Sequence, residues 1–251
     1  MTTAKVPPVA VVTGGAVRVG RAIAMALASD GYDLLVTYRS SKAPARALQE
    51  AVSAMGRRCE ILGTDLSTAE GAEAVIPAAA AHFGRLDLLV NSAASFDSTP
   101  LLEVDADRWD GNFDLNVRAP HLLVRAAAPL LREAQGSVVN IVDLSAFQPW
   151  TEYPAHSVSK AALTHLTRVQ ARSLAPDIRV NGIAPGAVLP PDDWTPERTA
   201  RLADIAPLKR IGSPDDVAQA VLYFAKAGFV TGQILAVDGG RLLGPSGPPS
   251  E

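Results

Sequence analysis

The side chains best suited to chemistry lie between positions 143 and 160, in Asp143-Leu144-Ser145 and His156-Ser157-Val158-Ser159-Lys160. A carboxyl, an imidazole and an ammonium can all take part in proton transfer. The four-residue step from His156 to Lys160 sets both on one face of a helix. Like-charge repulsion from Lys160 favours a neutral imidazole, which still donates one N–H bond to a carbonyl or ring nitrogen. Asp143, if protonated, offers a second route for the proton. Tyr153 would share the His156–Lys160 face on a continuous helix, but Pro154 marks the helix start, so Tyr153 falls on the entering loop, either as a pocket wall or with its phenol leaning into the site.

A second constellation points to a bound dinucleotide. Thr13-Gly14-Gly15-Ala16-Val17-Arg18-Val19-Gly20 follows an apolar run and precedes a helical pattern. Glycines there let backbone amides approach a pyrophosphate, and a helix N-terminus favours its charge. About 20 residues on, where a carboxylate would grip ribose hydroxyls, the chain has Tyr38-Arg39-Ser40-Ser41 instead. A guanidinium and two hydroxyls suit a 2′-phosphate, so NADP(H) is expected over NAD(H). Asp65-Leu66, Asn91 and Ala93 stand at the ends of later apolar runs, the edge where such sheets bind ligands.

The elements that must position these groups alternate along the chain. Strands are expected at Val9–Thr13, Leu34–Tyr38, Cys59–Thr64, Leu86–Asn91, Ser137–Val142, Ile178–Ile183 and Ile234–Val237. Several are continuously apolar, as strands covered on both faces of a parallel sheet must be. Helices are expected near Gly20–Asp30, Ala43–Gly56, Ala69–Gly84, Asp105–Ala134, Ala155–Ala175 and Pro214–Lys226, with Gly31, Gly56, Gly84 and Gly136 closing four of them. The pattern specifies right-handed βαβ crossovers: a single α/β domain over 1–251 with a Rossmann-type doubly wound parallel sheet and helices on both faces. Gly244–Glu251 reads as a frayed tail.

Composition sets limits. The chain is 48% hydrophobic and 20% charged with a net charge of −3, so it carries no electrostatic footprint for nucleic acid or anionic membrane. The single cysteine, Cys59, reads as a core residue; with no internal disulfide and no signal-like N-terminus, a soluble protein of the cytoplasm is expected. His82, His121 and His165 lack partners at metal-ligand spacing, and no Gly-x-Ser-x-Gly elbow is present. No metal is expected.

From Val9 to about Leu243 the chain resembles the short-chain dehydrogenases/reductases. The resemblance rests on the glycine motif (13–20), Asp65-Leu66, Asn91-Ser92-Ala93-Ala94, Leu115-Asn116-Val117 and Asn181-Gly182-Ile183-Ala184-Pro185-Gly186. Arg210-Ile211-Gly212-Ser213-Pro214, Thr231-Gly232-Gln233 and Val237-Asp238-Gly239-Gly240 extend it. It implies a hydride transfer with an Asn, Ser, Tyr, Lys catalytic set, in which Asn116 and Lys160 stand in place and His156 replaces the tyrosine. It also implies cofactor contacts from Gly14, Arg18, Val19, Gly20, Asn91, Ala93, Lys160, Pro185 and Gly186. Arg18, Tyr38-Arg39-Ser40, the segment 91–101 and Asp143 at the serine position resemble the pteridine reductase branch. That likeness implies a small-molecule substrate touched by Arg18, Phe96, Asp143, Tyr153 and Trp194.

Gly186–Pro207 interrupts the βαβ rhythm, and the resemblance makes it a substrate lid. Relatives pair helices matching 105–134 and 155–175, which implies a homotetramer or homodimer. Three functions are compatible with these residues. They are an NADPH-dependent reductase of a pterin-like or small carbonyl substrate, another reductase of the same fold (ketoacyl, sugar or steroid type), and a catalytically impaired NADPH-binding protein.

Overall fold

The four-residue run Val9–Val12 forms β1 and is wholly buried, as an apolar strand between two helical layers has to be. The computed structural model describes residues 6–96, 98–189 and 195–244. Six further strands join β1: β2 (Asp33–Tyr38), β3 (Cys59–Gly63), β4 (Leu88–Asn91), β5 (Ser137–Ile141), β6 (Arg179–Pro185) and β7 (Ile234–Val237). The sheet order is β3-β2-β1-β4-β5-β6-β7, and every pairing is parallel. All seven expected strands form, with ends shifted by at most two residues.

Alternate residues of each strand feed opposite cores. Ala10, Val12, Leu34, Val36, Leu88, Val90 and Val139 pack with Ile23 and Leu27 of α1 (Arg18–Ser29), Leu48 and Val52 of α2 (Lys42–Ala54), and Val221 and Phe224 of α9 (Pro214–Lys226). Val9, Val11, Leu35, Leu89 and Val138 face the other way, onto Val75 and Ile76 of α4 (Val75–Phe83), Leu123 and Leu131 of α6 (Ala119–Ala134), and Ala171 of α7 (Pro154–Leu174). This is the doubly wound architecture that the alternation specifies. The order reverses beside β1, where β2 and β4 flank it, and ligands bind at the carboxyl edge of such a point.

Several boundaries differ from expectation for physical reasons. The helix expected over 69–84 divides at Ala74 into α3 (Ala69–Glu73) and α4, because Pro77 has no N–H to bond back to Glu73. The one expected over 105–134 divides into α5 (Ala106–Phe113), a π-helical turn (Asp114–Arg118) and α6, with Pro120 unable to donate to Asn116. Gln135, not Gly136, takes the left-handed cap of α6, at φ 51°. Gly136 serves a different purpose: a Cβ there would stand 2.6 Å from the Asp87 carbonyl oxygen. Within the segment expected as a lid, α8 (Pro196–Ile205) forms, started by proline in its first turn. Residues 190–194 of that segment, and 245–251 of the expected frayed tail, lie outside the described residues.

Candidate active site

The carboxyl ends of the central strands open into a cleft of about 970 Å³. One wall is the turn between β1 and α1. Gly14 has φ 61°, and a Cβ on it would come within 3.0 Å of the Ala93 Cα. Its N–H donates to the Thr37 hydroxyl at 3.2 Å, while Thr13 Oγ1 accepts from the N–H groups of Ser92 and Ala93 at 2.9 and 3.1 Å. These bonds fix the turn after β1 against the end of β2 and the loop after β4. Gly20 permits the closest approach, since its Cβ would meet the Gly14 carbonyl oxygen at 2.3 Å. Val17 at the α1 N-cap supplies no side-chain cap, so the first-turn amides remain available to an anion.

At the far end of this wall stand Tyr38, Arg39 and Ser40, with Asp65 and Leu66 beside them. Hydrogen bonds from the Ser67 hydroxyl (2.7 Å) and amide (2.9 Å) hold the Asp65 carboxyl below the usual aspartate range, partly opposed by burial and aided by the Arg39 charge. Arg18 has the left-handed φ of 53°, and its Nη2 donates to the Leu189 carbonyl at 2.9 Å. Val19, Ala93, Pro185 and Gly186 complete the same lining.

The opposite end gathers the titratable groups. Asp143 ends the run after β5, and its Oδ1 accepts from the Ser145 amide at 2.8 Å and from the Ser145 hydroxyl. His156 and Lys160, one turn apart on α7, stand at the same end with side chains almost wholly buried. His156 Nε2 lies 2.5 Å from Asp143 Oδ2, and its Nδ1 lies 2.8 Å from the Ser95 carbonyl oxygen. Lys160 Nζ donates to the Ile141 carbonyl at 2.8 Å. Burial opposes ionisation of Asp143, but the His156 hydrogen bond, the Lys160 and His156 charges and the Ser145 hydroxyl outweigh it. The carboxyl is therefore held below the usual aspartate range. Burial pushes Lys160 below the usual lysine range, and the Asp143 charge offsets this in part.

The chain belongs with known enzymes. The family model described as enoyl-(acyl carrier protein) reductase matches residues 15–241. An uncharacterized oxidoreductase of Mycobacterium tuberculosis is 37% identical, covering 92% of this chain and 91% of that protein. A short-chain dehydrogenase/reductase of Cladobotryum sp. is 32% identical over 92% of this chain and 94% of that protein. The chain is a member of the short-chain dehydrogenase/reductase superfamily. Pteridine reductase 1 of Leishmania tarentolae is 34% identical, covering 97% of this chain and 99% of that one. The crystal structure of a blue fluorescent protein from a metagenomic library, in complex with NADPH, superposes with a TM-score of 0.88 at 34% identity, covering 93% and 97% of the two chains.

Within this short-chain reductase fold, the structure brings most residues singled out from the sequence into the one cleft. Two stand behind it. Asn91 is buried and donates to Asn140 at 2.8 Å. Asn116, in the π-helical turn, donates to Ser159 Oγ at 2.9 Å, and Ser159 in turn donates to the His156 carbonyl at 2.7 Å. The Oδ1 of each asparagine is buried without a hydrogen-bond partner among the described residues. Trp194 lies outside the described residues. Tyr153 is the residue before α7, as Pro154 requires, and Phe96 stacks on it with ring centroids 4.3 Å apart. Phe96 also meets Trp150 and His156 edge-on, at 6.1 and 5.1 Å.

One sequence-based expectation is corrected. His156 does not offer a free N–H to the cleft, because both ring nitrogens are already engaged, with Ser95 and Asp143. Sequence reasoning missed the Ser95 carbonyl, a backbone group with no residue-type signal. It also missed Thr37 and Arg241 as parts of the cleft, although Thr37 sits just before the flagged Tyr38-Arg39-Ser40 run, whereas Leu202 lies in the segment expected as a lid.

Proposed function

We propose that the protein is an NADPH-dependent reductase that delivers hydride to a pterin-like or small carbonyl substrate. The observation that carries this reading is a single cleft with a phosphate-suited turn and Arg39 at one end and the Asp143–His156–Lys160 cluster at the other. The glycine cradle and the uncapped α1 N-terminus fit a pyrophosphate. Arg39 and Ser40 would hold a 2′-phosphate, the feature that separates NADPH from NADH. Lys160 would hold the ribose and lend positive charge. When bound, the cofactor supplies the hydride.

The remaining work falls to the chain. The stacked Phe96–Tyr153 pair and Trp150 make an aromatic wall suited to a flat ring, which favours the pterin-like class. The Asp143 end supplies the proton. Assembly as a homotetramer or homodimer belongs to the same reading, supported by exposed Val158 and Val169 on α7.

The test is NADPH oxidation by the purified protein with dihydrobiopterin, dihydrofolate and small ketones, alongside titration of NADPH and NADH binding. Substrate-dependent turnover that collapses in Asp143→Ala and His156→Ala supports the reading. Tight NADPH binding with no turnover on any substrate, together with a large gain in His156→Tyr, would mark a decayed active site instead.

A further inference from the structure

We infer that Asp143 is the group that hands the proton to the substrate and that His156 acts behind it as a positioning residue, supplying that proton through their shared hydrogen bond. This rests on the reductase reading above and deepens it.

The tautomer follows from the partners. The Ser95 carbonyl can only accept, so the Nδ1 at 2.8 Å from it must carry a hydrogen. The Nε2···Oδ2 contact of 2.5 Å then needs one proton between imidazole and carboxyl. Two unprotonated atoms would repel there, and two protons would clash. The pair therefore holds one mobile proton between them.

Exposure decides which member meets the substrate. The His156 side chain is 2% accessible and that of Asp143 is 16%. Both acceptor positions of Asp143 Oδ1 are filled by Ser145, whereas Oδ2 receives only His156 among the described residues. One lone pair of Oδ2 is left for a substrate atom. His156 has no ring N–H to spare.

The step balances simply. The proton moves from Nε2 to Oδ2; the Asp143 O–H bond then breaks as a new N–H or O–H bond forms on the substrate, whose carbon takes the hydride of the reduced nicotinamide. His156 is left neutral, keeping its Nδ1–H, and Asp143 is left as carboxylate. Solvent returns one proton to the pair. The other charged and titratable groups lining the same cleft are Lys160 from α7, Arg18 at the start of α1, Tyr38 and Arg39 at the end of β2, Asp65 after β3, Glu152 and Tyr153 from the segment before α7, and Arg241 after β7. Of these, Lys160 acts on the Asp143 charge.

The test uses the full chain with His156→Gln and Asp143→Asn, each first checked for an intact melt and for NADPH binding. Proton–nitrogen NMR of the histidine rings reads the pair without turnover: both His156 nitrogens should carry hydrogen, with a strongly downfield Nε2 proton that disappears in Asp143→Asn. In kinetics, wild-type kcat should fall as rising pH strips the shared proton. His156→Gln should lower kcat about 100-fold and flatten that limb, with KM within about twofold. A His156 ring protonated on Nε2 alone, or a His156→Gln enzyme that keeps the wild-type pH limb, overturns the inference while leaving the reductase reading intact. Absence of NADPH oxidation with every C=N and C=O substrate overturns both.

Discussion

Arg18 and Leu189 are 171 positions apart, yet the Arg18 guanidinium donates to the Leu189 carbonyl at 2.9 Å and ties the phosphate-suited turn to the segment after β6. Arg18 adopts φ 53°, a left-handed conformation that costs a non-glycine residue about 1–2 kcal/mol. A strained residue at the lip of a cleft points to a role for its side chain.

Arg18→Gly separates strain from function. Glycine relieves the backbone but adds about 0.5–1 kcal/mol of unfolded-chain entropy, so the net effect on stability is small. The melting temperature should stay level or rise by roughly 2–4 °C. NADPH affinity should fall roughly tenfold, the value of one charge-assisted bond. A clear drop in melting temperature with unchanged NADPH binding would make Arg18 a structural strap.

Arg39→Ala addresses cofactor choice. Loss of one guanidinium–phosphate interaction should weaken NADPH by roughly 10- to 100-fold while NADH, lacking the 2′-phosphate, changes by less than about twofold. Titration by fluorescence reads both. An equal loss for the two cofactors would remove Arg39 from the discrimination.

Gly20→Ala tests the closest approach in the turn. Its Cβ would sit 2.3 Å from the Gly14 carbonyl oxygen, which is backbone and cannot swing aside. Overpacking of this kind costs about 1–3 kcal/mol, so a fall in melting temperature of roughly 3–10 °C is expected, with weakened NADPH binding. A variant as stable as the parent would mean that α1 shifts freely against the turn.

Much of this arrangement was legible in the residue order because it rests on signals with a short period. Val9–Val12 and Leu88–Val90 are apolar on both faces, and Pro214 after Ser213 starts a capped helix at the expected residue. The missed features arise where one backbone group answers another. No residue type announces the Ser95 carbonyl, yet it dictates the His156 tautomer. Asp143 and His156 meet only because the short 3-10 turn at Leu144–Ala146 and the loop beyond it fold back onto α7. The π-helical turn that carries Asn116 likewise has no sequence period of its own; Pro120 marks it only in hindsight.

Cys59 should behave as a core residue. It is buried in β3, and burial, with a smaller contribution from Glu60, pushes its thiol up to about 12. Since the thiolate is the reactive form, the folded protein should resist thiol reagents at pH 8 and label only on unfolding. Rapid labelling of the native protein would contradict the burial of β3 at this position.

The Asp143 carboxyl also predicts how stability responds to acid. Its folded value is depressed below the unfolded aspartate value of about 3.9, chiefly because the His156 bond and the Lys160 charge overcome burial. A depressed carboxyl contributes stability that is fully present above the unfolded value and is lost as pH falls through the folded one. The melting-temperature advantage of the parent protein over Asp143→Asn should therefore shrink as pH falls below about pH 4. A difference that widens below about pH 4 would mean that Asp143 is more readily protonated when folded. Burial would then outweigh its partners, and the resting proton of the pair would sit on the carboxyl.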